Sequence, residues 1–108
     1  MSNYSRPGLL QPFVLQFAFD VGAREKHRVE FRFNQDIGNL RINVDGKVVK
    51  RAFEMFSFST IKRYHITVGD AEQHEVLIEK ERKRLLGGAL PQACTVYIDG
   101  VVQGQYGP

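Results

Sequence analysis

The 108-residue sequence has no tryptophan, four prolines and one cysteine, Cys94. A lone cysteine excludes an intrachain disulfide framework and any zinc site of the cysteine-rich kind, and it fits a reducing compartment. No apolar run approaches the roughly 18 residues of a membrane span. Met1 to Gly8 lacks the basic-then-apolar pattern of a signal peptide, so the expected location is cytoplasmic. Charge of one sign is also scarce: 15 basic against 12 acidic side chains leave +3, with a pI near 9.2. That excess makes an anionic partner worth considering without requiring one. Catalytic signatures are missing as well. There is no Gly-x-Gly-x-x-Gly, Gly87-Gly88 is not followed by the Lys-Ser or Lys-Thr of a phosphate loop, and Ser57 and Ser59 lack a Gly-x-Ser-x-Gly elbow.

What is present is a strand pattern. Hydrophobic residues at 43% and charged residues at 25% suit a globular chain. Residues 1–12, with Pro7, Gly8 and Pro12, read as a flexible tail, and residues 13–108 as a single domain. From Phe13, apolar residues recur at every second position through Leu15, Phe17 and Phe19, the period of a strand with one buried face. Val29, Phe31 and Phe33 alternate with Arg28, Glu30 and Arg32. Leu40, Ile42 and Val44 alternate with Arg41 and Asn43 up to Asp45-Gly46, and Val48-Val49 begins a return strand. Phe56 and Phe58 lie two apart, Tyr64, Ile66 and Val68 alternate up to Gly69-Asp70, and Val76 and Ile78 follow. Cys94, Val96 and Ile98 lead into a second Asp-Gly turn at Asp99-Gly100. Asp-Gly between alternating runs predicts a type I′ hairpin, in which both central residues take positive φ. Glu79 to Leu90 alone favours helix by composition, but Gly87-Gly88 and Pro91 cut it short. It reads as a long basic hairpin connection with one helical turn at most. The expected fold is all-β: an antiparallel, hairpin-rich β-sandwich of seven to nine short strands.

The two halves echo each other. His27-Arg28-Val29-Glu30-Phe31 and Val44-Asp45-Gly46 return as His74-Glu75-Val76-Leu77-Ile78 and Ile98-Asp99-Gly100. The histidines lie 47 positions apart and the aspartates 54, so the second half carries seven more residues, expected as a loop within Lys80 to Pro91. Meander chemistry reused by chance and two related strand motifs packed face to face both account for the echo.

Candidate chemistry is sparse. None of His27, His65 and His74 has the i, i+4 helical spacing of a zinc pair. His65 should point to solvent, opposite Tyr64 and Ile66. His27 and His74 sit at strand starts, where an imidazole can satisfy turn carbonyls. Cys94 is in phase with Val96 and Ile98 and reads as core. The carboxylates Asp20 with Glu25, and Asp70 with Glu72, lie at turns, where turn geometry accounts for aspartate. No catalytic, cofactor-binding or metal-ligating residue is expected. The densest charge feature is Lys80, Arg82, Lys83 and Arg84 beside Leu85 and Leu86, the candidate surface contacts, against which Glu79 and Glu81 point to an ordinary solvated run. Tyr4, Tyr97 and Tyr106 are candidate interface side chains. Phe13, Phe17, Phe31, Phe33 and Phe56 fall on the core face, which removes the exposed rings that single-stranded nucleic acid would need.

In order, His27-Arg28-Val29-Glu30-Phe31, Val44-Asp45-Gly46-Lys47, Met55-Phe56, Val68-Gly69 and Tyr97-Ile98-Asp99-Gly100 resemble the amino-terminal domain of the Fas apoptotic inhibitory molecule family. The resemblance spans about Phe13 to Tyr106. It implies a compact β-sandwich and a cytosolic, non-enzymatic protein acting through protein contacts, in a family linked to protection from death-receptor apoptosis and to suppression of aggregation. The family pairs two such domains and carries tryptophans in its Met-Phe region; this chain has the length of one domain and no tryptophan. The expected function is therefore a protein-interaction module without cofactors, with unidentified protein partners and self-association through sheet edges as a further contact. The alternatives are an electrostatic binder of nucleic acid or anionic membrane through the basic loop, nucleic acid being disfavoured, and a small-ligand-binding sandwich.

Overall fold

The structure, a computed structural model, describes residues 14–35, 37–54, 61–85 and 88–107, with backbone only over 82–85 and 88–92. The expected tail at residues 1–12 and the Phe56/Phe58 pair lie outside the described residues. The described residues are all-β, as their alternation requires, and their eight strands fall within the seven to nine expected. They are β1 (Val14–Val21), β2 (His27–Asn34), β3 (Asn39–Val44), β4 (Lys47–Phe53), β5 (Ile61–Val68), β6 (His74–Leu85), β7 (Gly88–Ile98) and β8 (Val101–Tyr106). Two antiparallel four-stranded meanders result, in the orders β1-β2-β3-β4 and β5-β6-β7-β8, the two-sheet composition of a hairpin-rich sandwich. The first belongs to a compact unit spanning Met1–Phe56 and the second to one spanning Ser57–Pro108. Among the described residues no helix is long and apolar enough to cross a membrane.

In the first unit the period-2 residues make one buried face. Leu15, Phe17, Phe19 and Val21 of β1, Val29, Phe31 and Phe33 of β2, and Leu40 and Ile42 of β3 are all buried. Phe17 faces Phe31 across the β1–β2 pair, their rings stacked at 4.9 Å between centroids. Such a pair contributes about 0.5–1.5 kcal/mol beyond the area it removes from water. Both Asp-Gly hairpins take the expected geometry: φ is 52° at Asp45 and Asp99 and 83° at Gly46 and Gly100.

In the second unit the basic connection expected at Glu79 to Leu90 is instead strand. β6 and β7 extend their ladder through Arg82↔Gln92, Arg84↔Ala89 and Leu85↔Gly88. A lone helical turn cannot offset its nucleation cost, whereas a hairpin already begun at Val76↔Ile98 adds paired residues one at a time. The ladder is irregular between Arg82 and Arg84, opposite Leu90-Pro91, where proline has no N–H to give. The seven additional residues of the second half thus lengthen a hairpin rather than form a loop.

Outside the lengthened β6–β7 hairpin end, the echo between halves is a repeat of structure. Val29, Phe31 and Phe33 correspond to Val76, Ile78 and Lys80, and Leu40 and Ile42 to Cys94 and Val96, with each pairing register preserved. Even the irregularities coincide: the β3–β4 register shifts after Ile42 and the β7–β8 register after Val96.

Candidate functional site

Both hairpins are tied to the preceding strand by the same three side chains. His27 Nδ1 donates to Asp45 Oδ2 at 2.5 Å and its Nε2 donates to Glu25 Oε2 at 2.6 Å. Asp45 Oδ1 accepts the backbone N–H of Arg28 at 2.9 Å. In the second half His74 meets Asp99 Oδ2 at 2.6 Å and Glu72 Oε2 at 2.5 Å, and the N–H of Glu75 donates to Asp99 Oδ1 at 2.9 Å. Ionised carboxylates only accept, so satisfying both contacts requires each imidazole to carry two protons. The histidines therefore engage acidic side chains, not the turn carbonyls expected of them. Glu25 and Glu72, read only as carboxylates at turns, each supply one of the two side-chain acceptors of a lock, and the signal for them is the Glu-x-His spacing present in both halves.

The locks make stability depend on pH. His27 is raised above its ordinary 6.5 by Asp45 first and Glu25 second, and His74 by Asp99 and Glu72. Asp45 and Asp99 are lowered from 3.8, chiefly by the imidazole and then by a backbone N–H. A raised histidine stabilises the fold fully below the unfolded value and loses that contribution as pH rises through the folded value. A lowered aspartate stabilises above its unfolded value and loses that contribution as pH falls through the folded one. Thermal unfolding scanned against pH should accordingly peak between about pH 4 and 6.5. The alkaline decline should flatten in the His27→Gln/His74→Gln double variant; an equally steep decline there would assign it to other groups.

Among the expected features, His65 is exposed, as its strand phase requires, and Cys94 is buried with its thiol pushed up to about 12 by desolvation. That thiol is no nucleophile at neutral pH. Tyr97 and Tyr106 are half-buried, and Tyr4 lies outside the described residues. Of the four candidate surface contacts, Arg82, Lys83 and Arg84 lie on the β6 backbone, their side chains outside the described residues. Lys80 is a correction. It is only 4% exposed because it continues the inward phase of Val76 and Ile78, and its Nζ stands 6.0 Å from the centre of the Tyr64 ring.

The concentrated charge lies on the outward face of the first sheet. Arg32 of β2 pairs in register with Arg41 of β3, and Arg41 with Arg51 of β4, forming an arginine row across three strands. The next row holds Asn34, Asn39 and Phe53, the last 69% exposed. An open cavity of about 380 Å³ lies here, lined by the three arginines, Asn39 and Phe53 among others. Among the described residues none of these arginines has an ion-pair or hydrogen-bonding side-chain partner. The row ends at β4, which among the described residues has a hydrogen-bonded neighbour on one side only and exposes Val48 and Val49 as well. Sequence reading missed this row because positions 32, 41 and 51 become neighbours only once two turns and a register shift are known.

No protein-family model matches the chain, and no curated protein matches it.

Proposed function

We propose that the chain is a non-enzymatic, cytoplasmic protein-interaction module that takes up an extended segment of a partner protein along the open edge of β4. The observation that carries this is the edge itself: one hydrogen-bonded side among the described residues, with Val48, Val49 and Phe53 at 41%, 50% and 69% exposure. An added strand gains backbone hydrogen bonds from such an edge, and side chains of alternate residues supply selectivity. Lysines and a register shift blunt a water-exposed edge against indiscriminate pairing, and β4 carries both, which leaves the edge to a segment that neutralises its charge. Charge here selects the partner. β4 carries Lys47, Lys50 and Arg51 and no carboxylate, so two copies paired through β4 would set like charges together, whereas an acidic segment is attracted. The imidazoles occupied by carboxylates and the buried thiol support the non-enzymatic reading. The resemblance to the Fas apoptotic inhibitory molecule domain supports action through protein contacts, including the shielding of aggregation-prone strands.

The test is light scattering from aggregating insulin B chain. The chain should suppress scattering at low salt and retain most of that effect at about 0.5 M salt, where exposed charges are screened but backbone pairing is not. The Val48→Asp/Val49→Asp double variant, at exposed positions that tolerate polar residues, should fold and lose the effect. No suppression by the wild type, or suppression untouched in the variant, would overturn the proposal.

A further inference from the structure

We infer that Arg32, Arg41 and Arg51, with Asn39 beside them, form a binding site for the phosphoryl group of a phosphorylated segment lying along β4; this rests on the edge-strand reading above. Like charges placed directly opposite on a sheet destabilise it, and here three stand in line with no carboxylate partner among the described residues. The fold does not demand them. In the second sheet the corresponding row runs Arg63, Glu79, Thr95 and Gln105, and Arg63 Nε donates to Glu79 Oε2 at 2.8 Å. Among the described residues one scaffold thus carries the row once in balanced form and once as bare cations, and the bare version lines a cavity of about 380 Å³.

The ligand class follows from the donors. Neighbouring cross-strand Cβ atoms stand about 4.5–5.5 Å apart, which lets adjacent guanidinium groups converge on one anion. Guanidinium binds phosphate through paired N–H donors, and a phosphoryl group at neutral pH brings roughly −1.5 to −2 charges where a carboxylate brings one. Asn39 adds an amide donor, and Phe53 supplies an apolar wall for the segment that bears the phosphate. The row is short and ends at an open strand edge, which suits a peptide. A nucleic acid would need a longer cationic track and several exposed rings, and among the described residues Phe53 is the one exposed phenylalanine.

The test uses fluorescence anisotropy with three labelled probes: a short threonine-valine peptide bearing one central phosphoserine, its unphosphorylated twin, and oligo-dT. The full chain should bind the phosphopeptide about tenfold to a hundredfold more tightly than the twin. In the Arg41→Gln/Arg51→Gln variant that preference should vanish while the unfolding temperature holds or rises, as relief of like-charge repulsion requires. A preference that survives in this variant overturns the assignment, as does tighter binding of oligo-dT than of phosphopeptide. Equal binding of both peptides, abolished by Val48→Asp/Val49→Asp, overturns the phosphate site and leaves the edge reading standing. Binding of neither peptide overturns both.

Discussion

Replacing Gly22 or Gly69 by alanine is expected to cost about 3 kcal/mol or more of stability at either site, against about 1 kcal/mol for Gly46→Ala. All three glycines have positive φ, at 108°, 107° and 83°. What separates them is space. A Cβ on Gly22 would lie 2.0 Å from the carbonyl oxygen of Glu25, and one on Gly69 would lie 1.9 Å from that of Glu72, whereas nothing lies within 4 Å of one on Gly46. The obstructing atoms are backbone, so the β1–β2 or β5–β6 turn itself must move. Because Glu25 and Glu72 also hold His27 and His74, that movement should loosen the locks. The histidine pKa should then fall back toward its ordinary value, a shift that NMR titration reads directly and that Gly46→Ala should not produce. Chemical denaturation showing Gly22→Ala no costlier than Gly46→Ala would mean that the turn has slack its geometry does not suggest.

These turns also mark how far the sequence was legible. Alternation located strands wherever one face is buried, since each inward residue of β1, β2 and β3 is apolar in phase. Asp-Gly fixed both hairpins, because few other pairs accept two successive positive φ values. The reading failed where composition was weighed above phase. Lys, Glu, Arg and Leu between Glu79 and Leu90 favour helix as isolated residues, yet Val76, Ile78 and Lys80 keep strict period 2, which already placed Lys80 inward. The arginine row illustrates a different limit. Arg32, Arg41 and Arg51 each read individually as outward residues, but their alignment depends on where the β2–β3 register is set and on the shift after Ile42, neither of which residue chemistry specifies to within one position. The duplicated Glu-x-His was visible in the sequence and lacked only a reason to connect it with an aspartate 18 or 25 residues away.

Phe33→Lys should be the most damaging single substitution, although it installs the residue that the second half already tolerates at the corresponding site. Phe33 is 2% exposed, and losing its burial alone removes roughly 2–3 kcal/mol. An ammonium placed there without compensation adds several kcal/mol more. A total of about 5 kcal/mol or more would take up much or all of the stability of a small protein. Lys80 survives at its site because its surroundings differ. It faces the small Cys94 where Phe33 faces Leu40, and it has the Tyr64 ring within 6.0 Å, while Phe17, the residue matching Tyr64, already stacks on Phe31 and Phe19. Lys80→Met keeps the unbranched stem and removes the charge, so its effect should be under about 1.5 kcal/mol. Denaturant titration of the two variants should therefore rank them far apart. A Phe33→Lys loss below about 2 kcal/mol would show that water reaches this face, and that burial of Lys80 reflects tolerance rather than a specific accommodation.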